Sequence, residues 1–403
     1  MGSLENNVAL VFGASGISGW AMCNNLLSYP TRTTFSRVIG LSNRPIDRAI
    51  SLFPEDEPRL EFYSGINLRG DLATVKAQLK EQVPDIQKVT HVYYLAYSNA
   101  TAYTLDVMDV RDINVAMTSN AVRAVDEICS SLKFFVLQTG TNNYGVAVFE
   151  HKDKIEINPP LKESQPRIPS PYSDAIFYYG QVDLVREVQA GKTWKWCEVR
   201  PDCINGFTPN ATSMTWLEPV ALYFSLWRYV NGYGAEVQHI GTMANWLFTY
   251  TESTQDIIAR SEIFLSVVKP NEANDEAFNT ADYPTAVSNS VRWPLMAEYF
   301  GLKGVGPGET LFPAEKWWTE HQDEYKKMCT EHGLVGAEIP HETWVFLTAW
   351  SVLLDRSRGL SLDKIRALGF TEELPPGHGT ALVLDRLVAV KRIPSREAMK
   401  QWA

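Results

Sequence analysis

The sequence predicts an α/β protein, a doubly wound parallel sheet with a smaller, mostly helical C-terminal domain. Three observations carry this. The short apolar stretch 8–12, VALVF, runs into the glycine pattern GASGISG and then into WAMCNNLLSY, whose apolar residues have helical spacing. Strand-like and helix-like segments then alternate as far as residue 201. The C-terminal half instead carries helix-like stretches rich in tryptophan. Alternating units of this kind imply right-handed crossovers, a parallel sheet of the Rossmann type, and ligands at the C-terminal strand edges.

Strand, glycine turn and helix in immediate succession are the context in which a glycine pattern binds a dinucleotide. Gly13 permits the tight turn, Gly16 lets a pyrophosphate approach the backbone, and Gly19 lets the helix pack close to the strand. The anion sits on the helix N-terminus, where free N–H groups and the helix dipole favour it. The candidate cofactor contacts here are Gly13, Ser15, Gly16, Ile17 and Gly19. The second strand, 37–41, ends in Ser42-Asn43-Arg44-Pro45. No carboxylate stands there for a ribose 2′-hydroxyl. Ser42 and Asn43 suit hydrogen bonds to a 2′-phosphate and Arg44 suits its charge, which favours NADP(H).

The third strand, 60–68, places Asn67 and Leu68 near the adenine edge, and 71–82 follows as a helix. The fourth strand, 90–98, brings Tyr97 to the nicotinamide side, although plain packing suits that tyrosine equally well. A long amphipathic helix (108–132), a fifth strand with its loop (134–145) and a sixth strand (194–201) complete the alternation. Before the sixth strand, FYYGQVD opens a helix after a proline- and serine-rich stretch. A short-chain reductase has a lysine one helical turn after its tyrosine. Four positions after Tyr178 and Tyr179 stand Val182 and Asp183.

Further on, 211–230 reads as an apolar, aromatic helix over the cofactor, 232–251 as turns and a strand, 254–268 as a helix capped by Thr254 or Ser253, and 275–284 as another sheet strand. Trp293, Trp317, Trp318, Trp344 and Trp350 follow; they suit a large apolar pocket and equally a core. The expected division is 1–206 as the NADP-binding domain, its sheet continued by 232–285, with 207–231 and 286–403 as a substrate domain.

Composition narrows the function. The 403 residues carry a net charge of −10 and no long basic block, which excludes a nucleic-acid surface. No apolar run reaches the ~18 residues that span a membrane. Gly2 weakly resembles a myristoylation start, but Asn6 stands where Ser or Thr is needed. Five scattered cysteines without CxxC spacing read as reduced thiols of a cytoplasmic protein, and the histidines form no metal-binding pair.

The stretches GASGISG, IGLSNRP, THVYYLAYSN, LQTGTNNYG, FYYGQVD and VRPDCINGFTP, in that order, resemble the progesterone 5-beta-reductase/iridoid synthase-like branch of the extended short-chain dehydrogenases/reductases. The closing LSLDKIRALGF…LVLDRLVAVKRIP is similar to that of fungal members. The resemblance implies an NADPH-dependent reductase of an activated C=C or C=O in an apolar specialised metabolite, such as a terpenoid, steroid or polyketide. It implies Tyr178 as the catalytic tyrosine. The family's lysine lies upstream of it, in a segment reading LQTG-x-K-H-Y. Aligned on Leu137-Gln138-Thr139-Gly140, the lysine falls at Asn142, the histidine at Asn143 and the tyrosine at Tyr144. The lysine is therefore absent, and Asn142 is the candidate replacement. Without a neighbouring ammonium, Tyr178 is expected nearer the ordinary tyrosine value of about 10.

The resemblance further implies that Thr139, Gly140, Pro201, Cys203 and Ile204 hold the nicotinamide end, and that Tyr97, Tyr144, Phe207 and Trp216 face substrate. Cys203 reads as inert, and Asp202 stands where relatives often carry glycine. The expected partner is a small apolar molecule, with a homodimer left open. Two other readings keep the fold: a non-redox cyclase or isomerase with NADP(H) as scaffold, and a non-catalytic NADP-sensing regulator.

Overall fold

The computed structural model describes residues 6–98, 107–210 and 215–402. Gly2, the Asn99 that closes THVYYLAYSN and the first four residues of the 211–230 segment lie outside the described residues.

The first six strands and four helices appear in the predicted alternation: β1 (Asn7–Phe12), α1 (Ile17–Leu26), β2 (Phe35–Ser42), β3 (Leu60–Ser64), α2 (Leu72–Gln82), β4 (His91–Tyr94), α3 (Val107–Ile128), β5 (Phe134–Gln138), α4 (Phe177–Gln189) and β6 (Lys195–Pro201). Then come β7 (Ile204–Asn205), α5 (Leu217–Asn231), β8 (Glu236–Gln238), α6 (Met243–Leu247), β9 (Thr249–Tyr250), β10 (Ser253–Thr254), α7 (Gln255–Ile263), β11 (Glu276–Thr280) and, after another short strand, α8 (Asn289–Tyr299). Seven strands form the central sheet in the order β11-β6-β5-β4-β1-β2-β3. Every neighbouring pair is parallel. The order reverses between β1 and β4, and the crevice outside the strand ends at such a reversal is where ligands bind in open α/β sheets.

Both faces of the sheet are buried, so its strands read as apolar runs whose alternate residues feed different cores. Leu10, Phe12, Val92, Tyr94, Phe135 and Leu137 pack on the side of α2, α3 and α4. Ala9, Val11, Tyr93, Phe134 and Val136 pack on the side of α1 and α7, and that core runs on into the C-terminal helices. Trp293, Trp318 and Trp344 are buried there, and Trp293 also lines a cavity with Trp216.

Of the stretch 232–285, only β11 joins the central sheet; β8 and β9 each pair with short strands elsewhere. The third and fourth strands end at Ser64 and Tyr94, earlier than the sequence suggests, the third running into Gly65 at φ +86°. Thr254 does stand at the N-cap of α7, but its hydroxyl donates to Asp282 and makes no capping bond.

Helix α4 carries the tyrosine pair, and its seat is fixed by packing. Val182, Val185 and Val188 face inward while Asp183, Arg186 and Glu187 face solvent. Gly180 lets α4 approach α3 closely: a Cβ there would lie 2.9 Å from Val115 Cγ2. Gln181 Nε2 donates to Thr118 Oγ1 of α3 at 2.7 Å, locking the rotation of α4.

Candidate active site

At the β1–α1 junction the backbone has the form of an anion cradle. Gly13 has φ +86°, and a Cβ there would stand 2.7 Å from the Leu95 carbonyl oxygen. A Cβ on Gly19 would stand 2.0 Å from Gly13 O, so helix and loop touch backbone to backbone. At Gly16 the only atom of the described residues that a Cβ would meet is Gly13 O, at 3.3 Å, which leaves the outer side clear of them. The start of α1 has no side-chain cap and no acidic residue in its first turn, so its N–H groups remain available to an anion. Two distant residues brace the loop: Gln138 Nε2 donates to Ser18 Oγ and Thr208 Oγ1 donates to Ser15 O, each at 2.9 Å.

After β2, Asn43 and Arg44 are exposed. Ser42 Oγ donates to Arg44 O at 2.6 Å, so its proton is used inside the turn. Ser42 thus shapes the turn that presents Arg44. Asn67 is exposed, its Oδ1 accepting from Arg69 N–H, and Leu68 is buried beside it.

Tyr178 reaches the same strand edge from α4. Its Oη lies 3.2 Å from the point where a Cβ on Gly140 would stand, and Pro201 O lies 3.3 Å from that point. A side chain at 140 would therefore crowd the phenol. Tyr178 meets Phe177 edge to face at 4.6 Å between ring centroids, and Phe177 stacks on Tyr97 at 5.7 Å. Tyr97 is 44% exposed and forms the outer end of this aromatic row. Burial, then Tyr97 and Glu198, push the Tyr178 hydroxyl well above the ordinary tyrosine value. The expectation of a value near 10 is thereby corrected: removal of the apolar crevice wall from water outweighs everything else at this site.

Tyr179 faces elsewhere. Its hydroxyl donates to Asn143 O at 2.6 Å and accepts from Ile168 N–H at 2.9 Å, and Arg167 lies over its ring.

The turn after β5 is built by side chains. Asn142 Oδ1 accepts from Ala147 N–H at 3.0 Å, closing the loop, which leaves its amide N–H₂ as the group it offers to a ligand. Asn143, in the family's histidine place, is buried and donates to Thr139 Oγ1, Gly140 O and Glu198 Oε1. Asp202, just past β6, is buried with Arg358 against it at 2.9 Å and accepts from Thr141 Oγ1 at 3.0 Å. That pair clips the C-terminal segment to the turn and explains an acidic residue at 202. Cys203 has its thiol pushed up to about 12 by burial and then by Asp202, so it stays a neutral thiol at physiological pH.

Two residues expected to face substrate lie elsewhere. Tyr144 is buried, its hydroxyl donating to Asn279 Oδ1 at 2.7 Å under the Arg200 guanidinium. Phe207 is buried edge to face against Trp20. Both aromatic rings are used by the core, where their large apolar area is most stabilising. Trp216 does face a cavity, of about 300 Å³, shared with Glu252, Arg292, Met296 and Leu384. Its Nε1 donates to Asn205 Oδ1 at 3.1 Å. Tyr178 does not line that cavity.

Sequence reasoning missed Glu198, Arg358 and the buried Glu252–Arg292 pair. A charged residue inside the apolar run WKWCEVRP was the available signal for Glu198; nothing local marked Arg358.

Residues 9–394 match the PRISE-like Rossmann-fold domain. The chain is 48% identical over 396 residues to the short chain dehydrogenase ausT of Aspergillus calidoustus, covering 97% of this chain and 95% of that one. It is 25% identical to (S)-8-oxocitronellyl enol synthase ISY2 of Nepeta cataria, covering 96% and 92%. Among solved structures, a putative epimerase from Burkholderia cenocepacia J2315 superposes with a TM-score of 0.61 at 14% identity, over 96% of this chain and all of that one.

Proposed function

This chain belongs to the PRISE-like Rossmann-fold family of short-chain dehydrogenase-like proteins, and from that premise we propose that it is an NADPH-dependent reductase of an activated C=C or C=O. Its substrate on this reading is an apolar specialised metabolite of terpenoid, steroid or polyketide type. One observation carries the reading: the Tyr178 hydroxyl is held against Gly140 at the sheet's carboxyl edge, in surroundings that keep it a neutral phenol.

The uncapped start of α1 and the clear space at Gly16 fit a dinucleotide pyrophosphate. Arg44, with no carboxylate in 42–45, supports NADP(H) over NAD(H). When bound there, a reduced nicotinamide supplies hydride to the electron-poor carbon of the substrate. The chain's own contribution is at the carbonyl oxygen. As negative charge develops there, Tyr178 Oη–H donates a hydrogen bond to it, and any proton it passes to the anion is regained from solvent, so that no tyrosinate persists. One such donor in a dry site lowers the barrier by roughly 3–4 kcal/mol. Donation needs no cation to hold the phenol ionised, so Asn142 in place of lysine is compatible with it. A tyrosinate base, as alcohol oxidation requires, is disfavoured by the same burial. Residues 1–206 with 232–285 form the cofactor side on this reading. Residues 207–231 and 286–403 form the substrate side, with Trp216 at its cavity.

A second reading, a non-redox cyclase or isomerase with Tyr178 as acid, draws support from the missing lysine and from the enol synthase relative. The deciding experiment follows NADPH absorbance with cyclohexenone and citral. Oxidation of NADPH, slowed about 100-fold or more in Tyr178→Phe and by a much smaller factor in Tyr179→Phe, which keeps the acid and loses only the bonds to Asn143 O and Ile168 N–H, is the expected result. No oxidation with any enone, together with turnover of a carbonyl substrate at constant NADPH, selects the second reading. Asn142→Lys then separates them further, raising enone reduction only in a reductase.

A further inference from the structure

Behind the proposed acid stands a carboxylate with no part in the mechanism so far. Glu198, on β6, is 2% exposed. Its Oε1 accepts from Thr139 Oγ1 at 2.6 Å and from Asn143 Nδ2 at 2.7 Å, and its Oε2 accepts from Arg200 Nη2 at 2.7 Å. Asn143 also closes on Thr139 Oγ1 at 2.9 Å and on Gly140 O at 3.1 Å. The inner side of the turn therefore converges on one carboxylate, while Gly140 in the same turn receives Tyr178 Oη.

The backbone of Asn143 ties the other partner. Its carbonyl accepts the Tyr179 hydroxyl at 2.6 Å, at the start of the helix that carries Tyr178. Asn143 thus links β6 through its side chain and α4 through its carbonyl, and the separation of Gly140 from Tyr178 is set between those two bonds. A buried carboxylate is costly unless it is fully bonded. A neutral acceptor would satisfy Thr139 and Asn143 as well; the charge pairs through the other oxygen with the Arg200 guanidinium, so one carboxylate ties the turn to a fixed cation.

We propose that Glu198 is a positioning residue of the reaction, acting through Asn143 to hold the Gly140 turn against the Tyr178 hydroxyl. The inference rests on Tyr178 being the acid. The carboxylate also adds a fixed negative charge behind that acid, which disfavours its ionisation.

The test compares Glu198→Gln, Asn143→Leu and Asn143→His with Tyr178→Phe, using NADPH and cyclohexenone. Glu198→Gln and Asn143→Leu are expected to lower kcat by about 10- to 100-fold with the KM for NADPH unchanged, as for misplacement by a fraction of an ångström. Asn143→His, whose imidazole can still donate to Glu198, is expected to recover most of the rate. A readout independent of turnover is carbon-13 NMR of the labelled tyrosine rings, with Tyr178 identified by its loss in Tyr178→Phe. In Glu198→Gln, its ionisation should begin at lower pH than in the wild type. A packing role alone would shift the melting temperature and leave kcat unmoved; Asn143→Leu, which keeps the Glu198 charge, separates positioning from the effect of that charge on the titration. Wild-type kcat in Glu198→Gln and Asn143→Leu, beside an inactive Tyr178→Phe, overturns the inference. An active Tyr178→Phe overturns the acid assignment instead, and the inference that depends on it.

Discussion

The loop after β1 and the turn after β5 leave the same edge of the sheet and are held in opposite ways. From Gly13 to Gly19 the shape is set by backbone meeting backbone, at points where a Cβ would come within 2.7 Å of Leu95 O or 2.0 Å of Gly13 O. From Thr139 to Tyr144 it is set by side chains arriving from far along the chain. Glu198 comes from 55 and 59 residues away, and Arg358 reaches Asp202 across 156. Where backbone meets backbone, as at Gly13 and Gly19, no added atom is accepted. A site made of side chains accepts a change at one position if the remaining bonds still close. That difference explains how a lysine place can hold Asn142, which caps its own loop through Ala147 N–H, while the glycine loop keeps all three glycines.

The largest effect is expected where the side-chain network is cut at its most distant member. Arg358→Met leaves Asp202 buried without its cation and should cost about 3–5 kcal/mol of stability. Denaturant unfolding measures it, and pairing the change with Asp202→Asn should recover part of the loss. A loss under about 1 kcal/mol would mean that the pair does not brace the turn.

Gly19→Ala attacks the other loop with a single carbon. The Gly13 carbonyl cannot yield without moving α1, so a cost of about 3 kcal/mol and loss of NADPH binding are expected, read by thermal melting and fluorescence titration. Glu198→Gln and Asn143→Leu, which alter the β5 turn from behind, should retain NADPH binding. Equal binding by Gly19→Ala would erase the distinction between the two loops.

A control lies beneath both regions, on α7. Glu262 is fully buried with no hydrogen-bond partner for either carboxyl oxygen among the described residues, and burial holds its carboxyl well above the usual range. The folded protein therefore keeps a proton that the unfolded chain releases above about pH 4.3. Stability from this group is present at low pH and falls as pH rises toward the folded-state value. Glu262→Gln removes that dependence. The difference in stability between variant and wild type should change in the variant's favour with rising pH, by at most about 1.4 kcal/mol per pH unit. A constant difference between pH 5 and pH 8 contradicts the assignment of a neutral Glu262.

The smallest effect concerns the turn after β2. Arg44→Asp should weaken NADPH binding about tenfold and spare NADH, by repulsion of the 2′-phosphate. Equal or tighter NADPH binding removes Arg44 from the cofactor site.

The β1–glycine–α1 unit, the run of parallel strands and the start of α4 at Phe177 are all marked by short-range patterns. Steric exclusion at glycine and the periodicity of apolar residues act within a few positions. Tyr178 is singled out by resemblance, and the different direction of its neighbour Tyr179 follows from the roughly 100° between adjacent helical residues. Tyr144 and Phe207 were misplaced because an aromatic residue beside a site and one in the core look the same in sequence. Only the partner decides, here Asn279 and Trp20.

By itself the sequence determined where the backbone must pass without a side chain and that no lysine follows or precedes the tyrosine at the family's places. Tertiary structure alone decided what stands around that tyrosine: Gly140 beneath its hydroxyl, Glu198 and Asn143 behind the turn, and Asp202 clipped by Arg358. The reason is physical. A missing Cβ acts on its own neighbours in the chain, whereas a buried charge is tolerable only beside a partner that the fold delivers from elsewhere.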